Sequence, residues 1–140
     1  MKVLNPRVGM LSNYEVLQHI IATKERYAAA HLASSAAAAM KAENLETVMR
    51  EVKDYLSHTA AGTQSAADID NFMTAMSSHA LEKAELLQII NERPDSIAEL
   101  DCIIEEMDAR FDENTQAELL DIVKKWLPAK PKEPEQVNGD

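Results

Sequence analysis

The segment Leu81-Glu82-Lys83-Ala84-Glu85-Leu86-Leu87-Gln88-Ile89-Ile90-Asn91-Glu92-Arg93-Pro94 decides the fold class. The spacing of Leu81, Leu86, Leu87, Ile89 and Ile90 predicts a helix. Asn91-Glu92-Arg93-Pro94 predicts its end, because proline disfavours helical geometry in the residue before it. Downstream, Ser96 and Glu99 form a capping pair that opens a helix carrying Ile97, Leu100, Ile103, Ile104 and Met107. Asp112 then caps a last helix with Leu119, Leu120, Ile122, Val123, Trp126 and Leu127, stopped by Pro128. Upstream, Ser65 and Asp68 start the stripe Ile69, Phe72, Met73 and Met76. Residues 65–128 therefore read as a compact bundle of short helices. Only three glycines occur in the chain, and strand-formers never run with a clean period of two, which excludes a sandwich, a barrel or a Rossmann unit. The fold class is all-α.

The N-terminal part has a different character. Met1 to Leu11 carry Pro6 and Gly9 among the hydrophobes Val3, Val8 and Met10, an extended arm too short to be stable unless it lies on something. Ser12 and Glu15 supply another capping box, and Tyr14, Leu17, Ile20, Ile21 and Tyr27 mark an amphipathic helix from about Asn13. Ala28 to Ala42 have high helix propensity but few large side chains, and read as either a solvated helix or a loose linker. Leu45, Val48, Met49, Val52, Tyr55 and Leu56 then predict a helix over residues 44–58. Thr59 to Gln64, with Gly62, interrupt the pattern, so the chain divides into residues 1–58, a hinge at 59–64, and the bundle. Residues 129–140 are rich in proline and charge and read as a disordered tail.

The net charge of −10 is localised. Residues 82–121 hold 13 acidic and 3 basic side chains, and the rest of the chain holds 11 of each. Duplex nucleic acid is bound mainly by neutralising its phosphates with Lys and Arg, so direct nucleic-acid binding by this region is not expected. The acidic region has two readings: a solvated exterior, or a docking face for basic partners built from Glu82, Glu85, Glu99, Glu105, Glu106 and Asp108. No stretch approaches the roughly 20 apolar residues of a membrane span, and the reading is of an intracellular, soluble protein.

Catalytic patterns are not written in this sequence. It has no glycine-rich phosphate loop, no nucleophile elbow and no H-E-x-x-H. Glu105-Glu106 and Asp112-Glu113 are adjacent, and helical neighbours point about 100° apart, so they cannot flank one substrate. His19, His31, His58 and His79 lie at no ligand spacing, and neither metal nor cofactor is expected. Cys102, beside Leu100, Ile103 and Ile104, reads as inert packing. Met73, Met76 and Met107 read as core filler, and Trp126 as the anchor of the last helix.

Two blocks carry a resemblance. Met1-Lys2-Val3 followed by Leu11-Ser12-Asn13-Tyr14-Glu15-Val16-Leu17, together with Ser78 to Pro94 and its closing N-x-R-P, resembles the small stalk-subunit family of RNA polymerase III. The animal member of that family is also called the calcitonin gene-related peptide receptor component. With Leu127-Pro128 the resemblance spans nearly the whole chain outside residues 28–42. It implies a non-catalytic, nuclear subunit whose N-terminal arm and first helices hold an OB-fold partner, with Val3, Leu4, Leu11, Tyr14, Val16 and Leu17 in that interface. The second half would be similar to a helicase-and-RNase-D C-terminal (HRDC-like) domain, docking other polymerase subunits and initiation factors at transfer RNA and 5S ribosomal RNA genes. The alternatives are the equivalent subunit of RNA polymerase II and a signalling accessory protein coupled to a membrane receptor.

Overall fold

A computed structural model describes residues 2–5, 8–33 and 43–131, with backbone alone at 31–33 and 43. Helices α1 (Asn13–Ala33) and α2 (Glu43–Ser57) pack together, and a 3-10 turn (Ala60–Gly62) closes one end of the pair. The bundle follows as α3 (Ala66–Met76), α4 (Lys83–Glu92), α5 (Ile97–Asp101), α6 (Met107–Arg110) and α7 (Glu113–Trp126). No strand occurs among the described residues, and the all-α expectation holds.

The helix starts follow from side chains that satisfy free backbone amides. Ser12 Oγ accepts the Glu15 N–H at 3.2 Å while the Ser12 N–H donates to the Glu15 carboxylate at 2.7 Å. Ser65 and Asp68 repeat the exchange at α3, and Asp112 accepts the Thr115 N–H at 2.9 Å at α7. At α5 only half of the expected box forms. Ser96 accepts the Glu99 N–H, but the Glu99 carboxylate reaches one residue further back to the Asp95 N–H.

Two apolar clusters result. Phe72, Met76, Ile89, Leu100, Ile104, Met107, Leu119, Val123 and Leu127 are sealed inside the bundle, with Phe111 and Trp126 half-buried against them. Truncating a residue such as Phe72 to alanine costs about 3–5 kcal/mol in a site of this kind. The N-terminal cluster is smaller: Leu17, Leu56 and Ala61, flanked by Tyr14, Val16, Ile21 and Val52.

The single helix expected over Ile97 to Met107 is instead two short ones, α5 and α6. Between them the Glu105 N–H donates to Glu85 Oε1 (3.1 Å) and the Glu105 carbonyl accepts from Arg110 Nη1 (2.9 Å). Side chains have taken the two groups a continuous helix needs, and Glu106 then turns at φ 49°. Cys102 and Met73 are exposed rather than packed. The alanine-rich segment is helical through Ala33, and its remainder, residues 34–42, lies outside the described residues. So does the tail from 132 onward.

The segment read as a hinge is itself packed. Ala60 and Ala61 are buried, the 3-10 turn touches α1, α2 and α4, and the Gln64 side-chain amide donates to the Ile90 carbonyl at 2.7 Å. Gly62 has no φ constraint, but a Cβ there would fall on the backbone carbonyl of Ser57. Gly62→Ala should therefore lower stability by about 1–3 kcal/mol, because backbone rather than a movable side chain must give way. Chemical denaturation of the two proteins, read as a shift in midpoint at constant slope, measures this; an unchanged midpoint would mean the turn relaxes freely.

Candidate functional site

Among the described residues, most of the exposed large hydrophobic side chains lie in the N-terminal half. Residues 2–5 and 8–12 carry neither helix nor strand, and Val3, Val8, Met10 and Leu11 are exposed, with Leu4 at 90%. Ser12 is buried, so the chain leaves the folded surface within one residue. Tyr14 and Val16 are half-buried in the first turn of α1. Leu17 does not belong to this surface: at 4% exposure it is a member of the N-terminal core, because its position on α1 faces α2 and the 3-10 turn.

Helix α2 adds residues that the sequence reading assigned to an ordinary packing stripe. Met49 and Leu56 are buried, while Leu45, Val48 and Tyr55, the last at 69%, remain exposed. On a helical wheel all five fall on one broad apolar arc, whose one edge meets α1 and whose other edge is exposed among the described residues. The width of that arc was the available signal. Scattered exposed hydrophobes are normal, but several along one edge of a helix, together with an arm that exposes five more, mark candidate interaction surfaces.

The acidic region behaves differently. Glu82, Glu99, Glu105, Glu106 and Asp108 are exposed, as is every other carboxylate of residues 82–121 except Glu85. Glu85, at 6%, is removed from any docking face. Its carboxylate is gripped from both sides by Arg110, Nη1 to Oε1 at 2.5 Å and Nη2 to Oε2 at 3.1 Å, and also accepts the N–H groups of Glu82 (2.7 Å) and Glu105 (3.1 Å). Arg110 completes the joint by donating to the Ala80 carbonyl at 2.7 Å. Planar two-pronged pairing of this kind fixes geometry as well as charge. Glu82, Glu105, Glu106 and Arg110 line a shallow open recess above it. The hydrogen bonds from Arg110, opposed by burial and aided by the two backbone donors, hold the Glu85 carboxyl below the usual glutamate range. Thr115 does the same for the capping carboxylate of Asp112.

Among the described residues no three His, Cys, Asp or Glu side chains converge as a metal site, and no helix is long and apolar enough to cross a membrane. The geometry supports protein contacts: an apolar arm and helix edge in the N-terminal half, an acidic exterior on the bundle.

Residues 10–127 match the family RNA polymerase Rpb4, and the chain belongs to that family. Two curated relatives are more particular. The DNA-directed RNA polymerase III subunit rpc9 of Schizosaccharomyces pombe is 32% identical over 131 residues, covering 91% of this chain and 100% of the relative. The DNA-directed RNA polymerase III subunit RPC9 of Saccharomyces cerevisiae is 32% identical over 161 residues, covering 88% and 98%.

Because the folded-state pKa of Glu85 is depressed, the stability it contributes is present in full above the usual carboxylate range and is lost as pH falls through the depressed value. Glu85→Gln should melt earlier than the parent at neutral pH and show a flatter decline on acidification. Thermal unfolding from pH 7 to pH 3 compares them; parallel curves would mean the Arg110 pair contributes no pH-dependent stability.

Proposed function

We propose that this chain is a non-catalytic subunit of DNA-directed RNA polymerase III, part of a stalk heterodimer with an OB-fold partner, working in the nucleus at initiation on transfer RNA and 5S ribosomal RNA genes. The observation that carries the proposal is end-to-end similarity to two proteins that both bear the polymerase III name. That shared name favours polymerase III over polymerase II and over a receptor-linked role.

The physical features are those of such a subunit. Val3, Leu4, Leu11, Leu45, Val48 and Tyr55 are exposed among the described residues. Covering a Leu or Val side chain fully stabilises by about 1.5–3 kcal/mol, so this set is enough to hold a permanent partner once the entropy of association is offset. The arm and α2 edge take the OB-fold partner, with Tyr14 and Val16 at the margin of that contact. The exposed carboxylates Glu82, Glu99, Glu105, Glu106 and Asp108 face initiation factors and neighbouring subunits, where they favour basic surfaces and repel nucleic-acid phosphate.

Tagging the protein in its own cells and identifying co-purifying chains at moderate salt tests the assignment. Polymerase III subunits and the OB-fold partner should be recovered near equal stoichiometry. The doubly substituted Leu4→Asp, Tyr55→Asp chain should lose them by tenfold or more, on the order expected for losing two buried apolar anchors. Recovery of polymerase II chains, or undiminished recovery with the variant, would contradict the proposal.

A further inference from the structure

Two polar contacts that tie the preceding chain to the bundle meet at the last turn of α4. The Ile90 carbonyl accepts from the Gln64 side chain, and Asn91 Oδ1 accepts the backbone N–H of Asn13 at 2.8 Å, a bond between residues 78 apart in sequence. The donor is a backbone N–H, so the acceptor must be the amide oxygen of Asn91. Asn13 is the first residue of α1. Its N–H has no intrahelical partner. Ser12 satisfies the Glu15 N–H from within the N-terminal half, but the Asn13 N–H is satisfied by the bundle.

We propose that Asn91 is a positioning residue for the N-terminal arm: by bonding to Asn13 it fixes the point and direction from which residues 2–11 leave the folded surface. This rests on the reading of the arm as a partner-binding element. Ser12 is buried and Leu11 is more than half exposed, so the arm's direction is set at the Ser12–Asn13 peptide, the point the bond holds. The Ser12–Glu15 box caps the turn locally, but without an acceptor at residue 91 the Asn13 N–H is no longer tied to the bundle, and the start of α1, with the arm, samples a wider range of directions. Binding must then select the productive one, which lowers affinity without removing any contact to the partner. Asn91 itself, on α4, is far along the chain from every residue assigned to that interface.

The test measures affinity for the OB-fold stalk partner in five forms: the full chain as parent, Asn91→Ala and Asn91→Asp, and a chain lacking residues 2–11 with and without Asn91→Ala. Asn91→Ala should bind about three- to tenfold more weakly, the range for one lost hydrogen bond of ordinary strength. Asn91→Asp should bind like the parent, since a carboxylate still accepts the Asn13 N–H and sits favourably at a helix N-terminus. In the shortened chain Asn91→Ala should change nothing. Amide exchange at the first turn of α1 should quicken in Asn91→Ala while the melting of the bundle is unchanged; if the bundle melts early, Asn91→Ser, too short to reach Asn13, carries the same comparison.

If removing the arm weakens binding but Asn91→Ala does not, the positioning role is overturned and the arm reading stands. If Asn91→Ala weakens both chains equally, its role is general and the proposal also falls. If removing the arm leaves affinity intact, the arm reading itself fails and takes the proposal with it.

Discussion

Arg93 ends α4 in the left-handed region, at φ 45° and ψ 71°, a conformation that costs an L-residue about 1–2 kcal/mol. The surroundings offset it. Its buried guanidinium donates from Nε to the Leu127 carbonyl at 3.2 Å, closing the C-terminus of α7, and pairs with Asp95; Pro94 is sealed behind it. Immediately before the reversal, Ile90 and Asn91 receive Gln64 and Asn13. Ile90, Asn91 and Arg93 thus join the beginning of α1, the residue that follows the 3-10 segment's turn and the end of the last helix. Each half has its own apolar cluster, and the geometry between them depends on how this one turn is held.

Much of this was legible. The closing N-x-R-P predicts a helix stop through Pro94, and α4 does stop there, yet no local pattern says that Asn91 and Arg93 each bond to a distant backbone. The caps at Ser12, Ser65 and Asp112 were readable because a cap is a local bond between residues three apart. The break between α5 and α6 was not, because its cause is a contact from Glu85, 20 residues away, that no local pattern encodes. Glu85 misled twice for the same reason: composition counted it as surface charge, whereas its spacing from Arg110 became meaningful only in three dimensions. Leu17 and Leu45 were separated only by the structure, since periodicity identifies an apolar face without saying whether the chain or a partner covers it.

The two halves of the chain offer unlike chemistry. The arm and α2 expose neutral, aliphatic and aromatic side chains, whose burial is short-ranged and little affected by salt. The bundle exposes carboxylates, whose influence reaches about 8 Å at physiological ionic strength and weakens as salt rises. A complex built on both would be held through one half by contact and oriented through the other by field.

The bond between Asn13 and Asn91 also has a history within each molecule. Residue 13 leaves the ribosome 78 residues ahead of its acceptor. At about 5–20 residues per second, that interval is on the order of 4–16 s. Throughout it the first turn of α1 is uncapped from the bundle side and the apolar arm trails from an unanchored helix. The arm is therefore made well before the residue that fixes its direction, and the newborn chain presents its stickiest segment before it has the means to aim it.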